Sequence, residues 1–139
     1  MKEKPNKRAY EDQEEVFEKC KNFLLPYLKD IPEIKSAVLW GSIVNGSFGV
    51  YEETWRGQTG SDVDLIIFLE KGAKPPKQFK YLEIDKKWFK GYKPINFRDF
   101  LYSGNVHKVD TLLVKEGHES EAQDDITGKS KEIYSKDKK

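Results

Sequence analysis

The segment Ser61-Asp62-Val63-Asp64-Leu65-Ile66-Ile67-Phe68-Leu69 constrains this chain most strongly, because two aspartates open an unbroken apolar run. Side chains on a strand alternate faces. A strand over 62–69 therefore puts Asp62 and Asp64 on one face, a few ångströms apart. Val63, Leu65, Ile67 and Leu69 point to the other face, where they can pack against helices. Adjacent carboxylates repel, and each is costly if buried without a partner. They are tolerated when solvated at a strand end or when a cation lies between them. Magnesium favours hard oxygen ligands, commonly one or two carboxylates plus phosphates. Asp-x-Asp at a strand edge is also a common solvated turn, so the pair gains meaning only from its surroundings.

Upstream, Ser36-Ala37-Val38-Leu39-Trp40 reads as a buried strand closed by Gly41-Ser42. A glycine at a strand end lets backbone approach a ligand closely. Successive amides there form an anion-binding nest, and a serine hydroxyl donates to a phosphate oxygen. Gly-Ser is equally a frequent turn dipeptide. The order is more specific than its parts: strand, Gly-Ser, loop, then Ser-Asp-x-Asp opening an apolar strand.

The rest of the chain supplies one domain around these segments. At 139 residues it has the size of a single domain. Aromatics at 13% argue against a disordered chain, and a formal charge of +1 selects no partner. Residues 1–9 are expected to be a flexible basic tail, 10–135 the domain and 136–139 a second tail. Over residues 10–29, Val16, Cys20, Phe23, Leu24, Tyr27 and Leu28 form a helical stripe, with acidic residues at its start. Pro26 predicts a kink or an end near Leu25. Residues 43–60 read as a loop with one helical turn, and 71–80 as a linker. Residues 81–97 are rich in β-formers, with Lys86-Lys87 as the candidate hairpin turn. Arg98 to Tyr102 reads as a short helix, Val106 to Val114 as a strand and 116–128 as helix or loop. Glu132 to Tyr134 reads as a strand or helix end. The single cysteine, Cys20, permits no internal disulfide. With no signal-like N-terminus and no spanning apolar run, a soluble, cytoplasmic protein is expected.

Leu39-Trp40-Gly41-Ser42, followed by Ser61-Asp62-Val63-Asp64-Leu65-Ile66, resembles the signature of the DNA polymerase beta superfamily of nucleotidyltransferases, and most of all its minimal, stand-alone members. The resemblance implies an α/β (α+β) nucleotidyltransferase fold: a mixed, twisted sheet with helices packed on one face and the carboxylates on the other. It implies that Gly41 and Ser42, with Ser61 beside them, hold a triphosphate such as ATP, and that Asp62 and Asp64 bind two magnesium ions. A third carboxylate on a later strand completes such sites. Asp110, in Val109-Asp110-Thr111-Leu112, resembles that position, and Glu83 and Asp85 are its rivals. Two departures stand out: the 19 residues between Ser42 and Asp62 exceed the family's usual spacing, and Ile43 stands where a basic residue is common.

The implied reaction is magnesium-dependent transfer of a nucleoside monophosphate, AMP from ATP, to a hydroxyl, with a small helical HEPN-type protein as a possible partner. A second reading is an inactive nucleotide-binding or antitoxin-like module. A third is an RNA-binding domain, from the eight lysines interleaved with aromatics over residues 71–93. Strand alternation alone, lysines out and aromatics in, produces the same pattern. His107 and His118 lack metal-ligand spacing with Cys20.

Overall fold

The computed structural model describes residues 5–136; the expectations for residues 1–4 and 137–139 lie outside them. In chain order the elements are β1 (Lys7–Ala9), α1 (Gln13–Lys29), β2 (Ile34–Trp40), α2 (Ser42–Asn45), β3 (Gly49–Trp55), β4 (Gln58–Gly60) and β5 (Val63–Leu69). They continue with β6 (Phe79–Asp85), β7 (Phe89–Pro94), β8 (Phe100–Tyr102), β9 (Asn105–His107), β10 (Val109–Val114), α3 (Glu119–Ile126) and β11 (Ser130–Ser135). The fold is mixed α+β. Its main sheet has six strands in the order β11-β2-β5-β10-β7-β6. β5 and β10 run parallel, and the other neighbours are antiparallel.

Alternation along the central strands sorts the core into two layers. Val63, Leu65 and Ile67 of β5 and Val109 and Leu113 of β10 join Val16, Cys20, Leu24 and Leu28 of α1. Ile66 and Phe68 of β5 and Val114 of β10 join Val38, Trp88 and, from α3, Ala122 and Ile126. Helices thus cover both faces. This corrects the expectation of helices on one face only: α1 and α2 lie opposite the carboxylates, and α3 covers part of the carboxylate face. The Trp88 indole fixes α3 there by donating to Asp125 Oδ2 at 2.6 Å.

Helix α1 forms where the stripe predicts it, capped by Asp12, whose Oδ1 accepts from the Glu15 amide at 3.0 Å. It runs through Pro26 instead of ending near Leu25. Pro26 is exposed, so the bond it removes faces water, while Leu24 and Leu28 on either side are fully buried. Residues 7–9 are not a free tail but strand β1, paired to β3. At the other end, the Lys136 amide bonds the Lys35 carbonyl. The expected loop 43–60 holds α2 and the β3–β4 hairpin, whose tip uses Arg56 at φ 51° and Gly57 at φ 78°. The short helix expected over 98–102 is strand β8, because Ser103-Gly104 folds it back onto β9. No helix among the described residues is long and apolar enough to cross a membrane.

Candidate active site

The carboxylates meet where β5 and β10 begin. Asp64 and Asp110 are direct partners in the parallel register. They share a face with Ile66 and Leu112, two residues further along the same strands. Asp62 immediately precedes β5 and lies beside Asp110, close enough for the two carboxyl groups to interact. Burial, then the negative charge of Asp62, push the Asp110 carboxyl up to about 6, against an opposing pull from Lys108.

Neighbours hold each aspartate from a different side. Gln58, nearly fully buried on β4, donates through Nε2 to Asp62 Oδ1 at 2.5 Å and to the Gly60 carbonyl at 2.7 Å. Asp64 faces the end of β2, where Trp40 is its register partner. The next residue, Gly41, has φ 81°, and a β-carbon there would lie 2.6 Å from Asp64 Oδ2. Glycine is therefore required on two grounds, the left-handed backbone and the close approach. Gly41 caps the single turn of α2, its carbonyl accepting from the amides of Val44 and Asn45. The Ser42 hydroxyl, half-buried beside it, makes no hydrogen bond among the described residues.

Ser61 is placed differently from Gly41 and Ser42. It is buried, its hydroxyl accepts from the Gly49 amide at 3.1 Å, and its carbonyl lies 2.8 Å from His107 Nδ1. Because a carbonyl only accepts, Nδ1 of His107 carries the proton, and Nε2 is left to accept from the Tyr10 hydroxyl at 2.7 Å. Burial holds the His107 pKa below the usual imidazole range. Ser61 and His107 thus tie β3, β4 and β9 together behind the aspartates.

The rivals for the third carboxylate lie elsewhere. Glu83 and Asp85 are exposed on β6, the outer strand of the sheet, and Asp85 pairs with Lys115. Within the lysine-rich stretch, Phe79, Trp88 and Tyr92 are buried and Tyr81 is exposed, but β6 does not alternate: Lys80 to Asp85 are all exposed. Sequence reasoning missed Gln58, whose role depends on a strand invisible in the local pattern, and Lys108, whose ammonium donates to the Arg56 carbonyl at 2.6 Å.

Among the described residues, no group of three or more His, Cys, Asp or Glu side chains is arranged as a metal site. The donor chemistry nevertheless suits a hard cation: two carboxylates in contact, one resisting ionisation, and a third paired in register beside it. A cation there would offset the burial, and the repulsion from Asp62, that raise Asp110. No family model, curated protein or solved structure matches the chain.

Proposed function

We propose that this chain is a minimal nucleotidyltransferase with the fold of the DNA polymerase beta superfamily, transferring AMP from ATP to a hydroxyl acceptor. The observation that carries the reading is the register of Asp64 with Asp110, with Asp62 in contact with the latter. The sequence resemblance points to Asp62, Asp64 and Asp110; the parallel register that sets Asp64 beside a residue 46 further along (110 − 64) is a feature of the fold. A cluster of carboxylates in which one resists ionisation is the kind of arrangement that marks functional sites.

In this mechanism Asp62, Asp64 and Asp110 would hold the magnesium, which would supply positive charge at the reacting phosphate. Gly41, by its lack of a side chain, leaves room for phosphate beside Asp64, and the Ser42 hydroxyl donates to a phosphate oxygen. Asp110 takes the proton of the acceptor hydroxyl. The acceptor oxygen bonds to the α-phosphorus as the bond from that phosphorus to the bridging oxygen breaks, and pyrophosphate leaves. Gln58 keeps Asp62 oriented throughout. The resemblance also implies a separate helical HEPN-type partner.

A second reading is a nucleotide-binding module without transfer. It is favoured by Ile43, which is buried in the core at the position where the family commonly carries a basic residue. Calorimetric titration of ATP with and without magnesium separates these ideas. The transferase reading expects magnesium-dependent binding that Asp62→Asn/Asp64→Asn abolishes, followed by pyrophosphate release when an acceptor is supplied. Binding without release under every acceptor tried would favour the second reading, and no binding at all would sink both.

A further inference from the structure

Asp110 opens on its other side into a cavity of about 260 Å³ with an uneven charge pattern. Lys93, Arg98 and Lys108 line it together with Asp110, and Leu82 and Phe97 form an apolar wall. Asp99 is its one other carboxylate, so three cations face two anions. Lys93 and Arg98 are exposed and have no ion-pair partner among the described residues. Lys108 leads from the cavity to the β3–β4 hairpin tip, where Arg56 stacks on Trp55 with its guanidinium 4.4 Å from the ring centre.

The larger cavity, about 500 Å³, offers no comparable bias. Four lysines in its lining face three glutamates, and Lys115 is already paired with Asp85 outside it, which leaves three cations to three anions.

We propose that the cavity beside Asp110 is the acceptor subsite and that it takes the terminal nucleotide of a single-stranded polynucleotide. The proposal rests on the transferase reading for the word acceptor. Three arguments support it. The cations flank the carboxylate assigned to the acceptor hydroxyl, so the acceptor carries negative charge near that hydroxyl. The volume is below the roughly 300–1,000 Å³ of pockets that enclose a whole small ligand, which suits the end of a longer one. The basic lining continues through Lys108 to exposed Arg56, which lies over half-buried Trp55, so positive charge extends beyond the cavity as a backbone with further phosphates requires.

The test is fluorescence anisotropy of a short 5′-labelled, single-stranded RNA with a free 3′ hydroxyl, across a salt series. Lys93→Ala, Arg98→Ala and the double variant are compared with the wild type, with thermal melts as the check on folding. The expected result is severalfold weaker binding in each single variant and a salt slope shallower by roughly 0.7 per cation removed. Unchanged affinity in the double variant, or no binding by the wild type, overturns the proposal. So does free AMP competing as strongly as RNA, which would point to a small phosphorylated acceptor. The magnesium-dependent ATP titration of the wild type is read separately. If it fails while RNA binding still depends on Lys93 and Arg98, the transferase reading falls and an RNA site remains. If it succeeds while RNA binding fails, the acceptor assignment alone is wrong.

Discussion

Gly41 stands so close to Asp64 that a β-carbon on the glycine would lie 2.6 Å from the carboxylate oxygen Oδ2. The glycine cannot give way cheaply, so the carboxylate of Asp64 must. Gly41 is fixed by the end of β2 and by α2, and the Asp64 backbone is fixed in β5 by register with Trp40 and Asp110. Gly41→Ala should therefore cost about 1–3 kcal/mol of stability, since an L-residue at φ 81° is strained even before the clash. It should also displace Asp64 and weaken magnesium-dependent ATP binding more than it weakens the fold. Urea denaturation alongside ATP titration checks both.

Asp110 should be a stability liability. Its carboxyl is raised from an unfolded value near 3.8 to about 6, so ionising it costs more in the folded chain than in the unfolded one. That cost is absent below the unfolded value, grows as pH rises through about 6, and then stays constant. Asp110→Asn should accordingly stabilise the metal-free protein at pH 8 by on the order of 1 kcal/mol, after discounting for solvent. It should have little effect near pH 3.5, and it should abolish transfer. Melts in chelator at the two pH values read the difference; an equal effect at both would contradict the assigned environment.

His107 sets the acid side of the stability profile. Its pKa is lowered by burial, so between the folded value and about 6.5 the unfolded chain binds more protons. The His107 contribution to stability should fall as pH drops below 6.5 and level off once the folded imidazole also protonates, a loss that Asp110→Asn isolates by removing the opposing contribution of Asp110. At neutral pH the ring should be the Nδ1–H tautomer, because Nδ1 faces the Ser61 carbonyl. Nitrogen chemical shifts of the imidazole report this directly, and an Nε2–H pattern would refute it.

Gln58 acts on the site through Asp62. Gln58→Ala removes a bond to the carboxylate and leaves the Gly60 carbonyl without its side-chain donor. A stability loss of about 1–2 kcal/mol is expected. Transfer should suffer further, because Asp62 loses its orientation; a kcat drop with ATP binding largely kept would separate positioning from a purely structural role.

How much of this could be read from the chain depends on where each signal sits. β2, β5 and α1 are legible because each carries its own periodicity: the apolar run after Asp64, the block before Gly41 and the Val16–Leu28 stripe. The β3–β4 hairpin and β8 are not, because their pairing leaves no such period in the local pattern. β3 pairs with residues 7–9, and β8 turns on Ser103-Gly104 where the local pattern reads as helix. Asp62, Asp64 and Asp110 are legible as types in strands, but only the parallel register of β5 and β10 joins them. The inward turn of Ser61, the support from Gln58 and the gathering of Lys93, Arg98 and Lys108 beside Asp110 are products of packing with no local sequence mark.

The most direct test of the central claim is a crystal structure with manganese and a non-hydrolysable ATP analogue, using the anomalous signal to locate the metal. The account predicts anomalous peaks among Asp62, Asp64 and Asp110, with the triphosphate beside Gly41 and Ser42. Peaks elsewhere, or a bound nucleotide with no metal between these carboxylates, would contradict it.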